Sequence, residues 1–97
     1  MACTLLLEFR TKPEFTDGMA GMFKDLFPDT RSFDGCISIY ASQNQEDKHS
    51  FALVEVWESR EKYEAYLEWR TERGDLENLS SMLESDPSFR FFDMIGA

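Results

Sequence analysis

The chain has 97 residues, with ten basic side chains against nineteen acidic ones and a net charge of −9 at pH 7. That balance repels phosphate backbones and anionic lipid surfaces, which excludes nucleic acid and membranes as partners. The length fits one domain, residues 1–97, whose small core must either hold a 14% aromatic load that includes nine Phe or place some of those rings around a cavity or subunit interface.

The first element, residues 3–11, reads as a strand. Leu5, Leu7 and Phe9 alternate with Leu6, Glu8 and Arg10, and Pro13 closes it. Residues 15–27 read as a helix, with Phe15, Met19, Met22, Phe23 and Leu26 forming an amphipathic stripe. Pro28 is expected to break or restart that helix, and Asp34-Gly35 supplies a turn. Residues 36–43 form a second strand, with Ile37 and Ile39 opposite Ser38 and Tyr40. After a polar connection comes a third strand over residues 50–58. It is apolar on both faces, Val54 and Val56 on one side and Leu53 and Trp57 on the other, as expected of a central strand.

Ser59 is an N-cap for the next helix and Glu61 suits its positive end. Tyr63, Tyr66, Leu67 and Arg70 share one helix face, and Gly74 is a C′ residue. Asp75 caps a further turn or two, with Leu76, Leu79, Met82 and Leu83 as the apolar stripe. Residues 89–95 form a fourth strand. The order β-α-β-β-α-β predicts an α+β, ferredoxin-like fold: a four-stranded antiparallel sheet with its helices on one face. The other face carries Leu6, Val54, Val56, Ile37 or Ile39 and residues of the fourth strand. An apolar patch of that size predicts a homodimer, sheet against sheet.

Cys3 and Cys36 form no CxxC pair and no metal spacing. No signal-peptide pattern opens the chain and no apolar run reaches the roughly 20 residues of a membrane span. The expectation is a reducing cytoplasm with free thiols, each a small buried hydrophobe.

The motif "VEVWES" before a helix start, with an aromatic, Tyr66, nine residues after Trp57, resembles the antibiotic biosynthesis monooxygenase (ABM) domain. So do "FRTKPE" after the first strand and "PDTRSFDGC" after the first helix. The resemblance spans essentially the whole chain. It implies a dimeric α/β barrel and, in the active members, cofactor-free oxygenation of polyketide anthrones and quinols or degradation of heme. Heme-degrading members carry a ligating His at the position of Tyr66 and an Asn on the first strand. This chain has neither, so the resemblance points away from heme and toward no cofactor and no metal.

Oxygenation of that kind needs an electron-rich small aromatic, a proton acceptor, anion stabilisation and a dry aromatic-lined cavity. The candidates for catalysis are Trp57, as a flat wall with an N–H to donate, Tyr66, as hydrogen-bond partner or proton relay, and Arg70, to hold an enolate or carboxylate. Each has a plainer reading: Trp57 as core packing, Tyr66 as a ring at the core edge, and Arg70 as the partner of a nearby acid. Substrate-binding candidates are Tyr40, Arg31, Arg10 and Tyr63. Asp29 and Thr30 read alternatively as caps of a short helix. Glu8 and Arg10 read either as a base with its electrostatic partner or as an ion pair at the sheet rim. Trp69 reads as a packing or interface ring. His49, the one histidine, reads as a solvated loop residue, so no Ser/His/Asp triad, Cys/His pair or His-based zinc site is expected. Rival functions of the same fold are a dimeric small-molecule binding domain without turnover and a structural dimerisation module.

Overall fold

Four strands pair in the order β2-β3-β1-β4, all antiparallel. They are β1 (Cys3–Arg10), β2 (Cys36–Gln43), β3 (Ser50–Trp57) and β4 (Ser88–Asp93). Three α-helices accompany them: α1 (Met19–Ser32), α2 (Arg60–Glu72) and α3 (Asp75–Ser81). The computed structural model describes residues 1–96. The α+β ferredoxin-like fold expected from the sequence is the fold observed, with β3 central between β2 and β1.

Period-2 alternation sorts the strand side chains. Leu5, Leu7 and Phe9 of β1, with Phe51, Leu53 and Trp57 of β3, are buried on the face the helices cover. Met19, Phe23 and Phe27 of α1 and Tyr63 and Tyr66 of α2 pack against them in one core cluster. Tyr40 pairs with Val54, Leu6 pairs with Val54, and Thr4 pairs with both Val56 and Phe92, which puts these residues on the opposite, helix-free face. The β2 contribution to that face differs from expectation. Ile39 lies opposite Glu55 and is buried on the helix side, while Ile37 is exposed at a bulge between Cys36 and Ser38. The bulge admits one extra residue and so places Tyr40 on the helix-free side.

Local chemistry ends most elements where the pattern expects. The Ser59 side chain accepts from the Lys62 N–H and caps α2. Gly74, at φ 83°, turns the chain from α2 into α3. Gly35, at φ 94°, lies so close to Lys62 that a Cβ would meet the Lys62 Cβ at 2.5 Å.

Pro28 does not interrupt the first helix, which runs through it. The forfeited bond is the one to the Lys24 carbonyl, and both residues are on the exposed side, where water can serve the orphan acceptor. Arg70 grips the buried side, donating to the Leu26 carbonyl at 2.9 Å and to Thr30 Oγ1 at 3.1 Å, one on each flank of the proline. The helix also starts later than its stripe implies, because residues Pro13–Gly18 form a 3-10 turn.

Candidate functional site

Between the helix-covered sheet face and α1, α2 and α3 lies an interior cavity of about 190 Å³. Its apolar lining comes from every layer: Leu7, Ile39 and Leu53 from the sheet, Phe23 and Phe27 from α1, and Leu67 from α2. Its polar lining is Glu55, Thr30, Tyr63, Tyr66, Arg70, Asp75 and Ser80. A wider groove of about 410 Å³ lies at the far rim of the sheet among mostly exposed polar side chains such as Ser42, Asn44 and Asp86. The groove has no titratable group out of water, so the interior cavity is the candidate site.

The helix side of the cavity is a closed polar network. Arg70, only 3% exposed, donates from Nε to the Tyr66 hydroxyl at 2.8 Å and from Nη1 to Asp75 at 2.8 Å. Tyr66 and Thr30 share a further hydrogen bond of 2.8 Å. The turn from α2 to α3 at Gly74 is what brings Asp75 back beside Arg70. Burial raises the Tyr66 pKa above the ordinary phenol value, against the opposing pull of its bonds from Thr30 and Arg70.

The sheet side is different. Glu55, on the central strand, is 2% exposed. Its in-sheet neighbours are Leu5 and Ile39. One carboxyl oxygen accepts from the Trp57 indole N–H at 3.1 Å. The other makes no hydrogen bond, and Glu55 is part of the cavity lining. Burial pushes this carboxyl from its ordinary 4.5 up to about 7, with the indole bond pulling weakly the other way. The Tyr63 hydroxyl likewise has no hydrogen-bond partner, and burial, then the proximity of Glu55, raises its pKa. Among the described residues, no buried side-chain nitrogen or oxygen lacks a partner. The free Glu55 oxygen and the Tyr63 hydroxyl therefore owe their accessible surface to the cavity.

The residues singled out in the sequence divide into two groups. Tyr63, Tyr66 and Arg70 come together around the cavity. Trp57 is fully buried behind them, with its ring centroid 5.0 Å from Tyr66 and 5.5 Å from Tyr63; it holds Glu55 and does not line the space. Arg31 and Tyr40 lie outside. β2 is an edge strand, and Arg31 clamps it by donating to the Ile39 carbonyl at 2.9 Å, with its guanidinium 5.7 Å from the centre of the 65%-exposed Tyr40 ring.

Arg10 is also remote from the cavity. It pairs with Asp47 at 2.8 Å and with Glu84, whereas Glu8 pairs with Arg90. The expected Glu8–Arg10 pair is therefore replaced by cross-strand and loop partners, since β4 runs beside β1. Thr30 is no helix cap but a buried member of the Tyr66 network. His49 is not a fully solvated loop residue. It is half-buried, with Nδ1 2.6 Å from Thr16 Oγ1.

Glu55 is the residue the sequence reading missed. Its signal was available: alternation places it between Leu53 and Trp57, on the helix-covered face of a central strand, where a charge has no ordinary reason to be.

Heme does not fit this site. Tyr66, at the position of the heme-ligating His, is committed to Thr30 and Arg70. A cavity of about 190 Å³ is also below the usual range for drug-sized ligands, about 300–1,000 Å³. Among the described residues no cluster of three or more His, Cys, Asp or Glu is placed to hold a metal, and no helix is long and apolar enough to cross a membrane. Cys3 and Cys36 are free thiols.

A sequence profile described as antibiotic biosynthesis monooxygenase matches residues 3–71. No curated protein matches the chain significantly. Among solved structures, a conserved protein from Methanosarcina mazei Go1 superposes with a TM-score of 0.85 at 18% identity, covering 95% of this chain and 91% of its own. A structure described as antibiotic biosynthesis monooxygenase superposes at 0.84 and 17% identity, covering 96% and 98%. A protein of unknown function from Nitrosomonas europaea superposes at 0.83 and 16% identity, covering 99% and 91%. At these identities the superpositions establish the fold.

The buried Glu55 makes stability depend on pH with a definite sign. Its folded-state pKa lies above its unfolded value, so the folded state binds more protons between about pH 4.5 and 7 and stability falls as pH rises through that window. Glu55→Gln removes that dependence. Urea unfolding at about pH 4 and pH 8 should show wild type losing about 3 kcal/mol more than the variant across the range. Parallel curves for the two proteins would contradict the assignment.

Proposed function

The chain belongs to the antibiotic biosynthesis monooxygenase family, and from that premise we propose that it is a cofactor-independent monooxygenase of a planar, oxidisable aromatic, a quinol or a polyketide-type phenol. The observation that carries this reading is the interior cavity, walled by aromatic rings and containing both a buried cation and unpartnered polar atoms.

The reaction balances without an external reductant. One atom of dioxygen enters the substrate ring and the other leaves as water with two hydrogens from the substrate, which supplies every electron. Ionising the substrate hydroxyl makes the ring electron-rich enough to pass the first electron to dioxygen. The protein's part is to bind the ring, exclude bulk water and favour the anion. Tyr63 and Tyr66 contact the ring. Arg70 supplies positive charge from behind Tyr66, moderated by Asp75. Trp57 keeps the Glu55 carboxyl in place. Arg10, Arg31 and Tyr40 stand away from the cavity and have no part in the chemistry proposed.

A binding domain without turnover is the second reading. It draws support from Arg70, each of whose three guanidinium nitrogens donates to a protein acceptor, the arrangement of a structural brace.

The helix-free sheet face presents Leu6, Val54, Val56, Tyr40 and Phe92, with Val54, Tyr40 and Phe92 exposed. A second copy of the chain covers it in our reading, giving the dimeric α/β barrel, and the free thiols suit a reducing cytoplasm. Sedimentation at micromolar concentration should give a dimer, and Val54→Asp should shift it to monomer. A wild-type monomer under those conditions would contradict the assembly.

Oxygen consumption with 1,4-dihydroxynaphthalene should exceed the uncatalysed rate. Tyr66→Phe should lower it about tenfold or more, by removing the hydroxyl that Arg70 polarises at the cavity wall, with the fold retained by circular dichroism. Uptake no faster than the blank across a panel of one- and two-ring quinols, together with saturable binding, would favour the domain without turnover.

A further inference from the structure

We propose that Glu55 is the proton acceptor for a one- or two-ring hydroxyarene bound in the interior cavity, an inference that rests on the reading of that cavity as the reaction site. Three observations carry it: where the carboxyl sits, what its two oxygens do, and what the space beside it can hold.

Glu55 sits at the middle of the helix-covered face of β3, between Leu53 and Trp57 along the strand and between Leu5 and Ile39 across the sheet. A charged residue there costs stability, and no cation offsets it. The groups facing it are Tyr63, Tyr66 and Arg70 from α2, Thr30 from α1, Asp75 from α3 and the Cys36 thiol from β2. Arg70 is the only cation among them, and its donors go to Tyr66, Asp75, Thr30 and Leu26. The carboxyl is thus a stronger base than an exposed glutamate, at about 7, close to the range in which a general base is both ionised and effective.

The two oxygens divide the work. Oε1 is held by the Trp57 N–H, which fixes the plane of the carboxyl. The other oxygen has no protein partner and is left to the cavity. Near it is the Tyr63 hydroxyl, also without a partner and kept protonated by its raised pKa, hence a donor. A hydroxyarene whose oxygen lies between them donates to Glu55 and accepts from Tyr63. In the proton-transfer step the substrate O–H bond breaks and its electron pair stays on the ring oxygen as aryloxide. The proton passes to the free Glu55 oxygen, and Oε1 keeps its indole bond. One negative charge moves from carboxylate to ring, so the cavity's net charge does not change and no new charge has to be desolvated.

Volume sets the substrate class. At about 190 Å³ the space accepts one ring or two fused rings, and it is too small for the three- and four-ring skeletons of larger polyketides.

The test uses 2-naphthol, a two-ring hydroxyarene that becomes a strong acid when excited and so reports a neighbouring proton acceptor by naphtholate emission. Bound to excess wild-type protein and excited beyond the tryptophan band, its naphtholate-to-naphthol emission ratio should rise about tenfold between about pH 5 and pH 8, with a midpoint near the Glu55 pKa. With Glu55→Gln the ratio should stay flat. A flat wild-type profile overturns the proposal without any variant, and so does a rise that persists in Glu55→Gln, or a failure of 2-naphthol to saturate the wild-type protein. Oxygen uptake with 1,4-dihydroxynaphthalene runs alongside. Equal uptake by wild type and Glu55→Gln removes Glu55 and leaves the monooxygenase reading standing. A naphtholate signal with no uptake from any quinol keeps Glu55 as proton acceptor and removes the monooxygenase reading.

Discussion

Glu55 is a carboxyl placed where the fold calls for a hydrocarbon, and the rest of the site can be understood as the conditions under which that placement is tolerated. Its neighbours along and across the sheet are Leu53, Trp57, Leu5 and Ile39. Taking an ionised carboxylate out of water with no counterion is expensive, and a protein group answers by holding its proton to higher pH. The indole N–H of Trp57 lowers that cost for one oxygen, and the cavity lowers it for the other by giving it room beside a polar hydroxyl. A leucine at this position would extend the apolar sheet face without a break. Keeping a carboxyl there instead costs stability.

Arg70 shows the contrasting case. It is as deeply buried as Glu55 yet fully satisfied, because Gly74 turns the chain so that Asp75 meets it, and because α1 offers the Leu26 carbonyl and Thr30 on the flanks of Pro28. Satisfied networks of this kind are rigid, and breaking one by removing a single partner strands a buried charge. The brace ties α1, α2 and α3 together around the cavity. The unsatisfied atoms then have a stable frame from which to face a ligand. The two sheet faces accordingly differ: the helix-covered face encloses the cavity, and the helix-free face carries exposed Val54, Tyr40 and Phe92.

Much of this was legible because strand alternation is a strong signal. The separation of Leu5, Leu7 and Phe9 from Leu6, Glu8 and Arg10, and the two-faced apolar character of the third strand, led directly to the sheet and its central strand. Ser59, Gly74 and Asp34-Gly35 marked boundaries through chemistry that is local. The shared face of Tyr63, Tyr66 and Arg70 was likewise readable from helical spacing. What was not legible depended on contacts between elements. That Arg31 and Tyr40 clamp an edge strand follows from strand order. That Glu8 meets Arg90 and not Arg10 follows from β4 lying beside β1. That the first helix survives Pro28 follows from Arg70 gripping it from another helix. Glu55 is a different case. Its position in the alternation was plain, between Leu53 and Trp57 on the face the helices cover, but its burial depends on helices that pack there from elsewhere in the chain.

The claim on which all this turns is that the Glu55 carboxyl, held by Trp57 and bordered by the cavity, keeps its proton to about neutral pH. A carbon-13 NMR titration of protein labelled at the glutamate carboxyl carbons, with the Glu55 resonance assigned by its loss in Glu55→Gln, measures this directly. The account predicts that the one assigned resonance titrates near 7. A Glu55 resonance titrating at the ordinary glutamate value of about 4.5 would mean that the carboxyl is solvated and that the cavity holds no base.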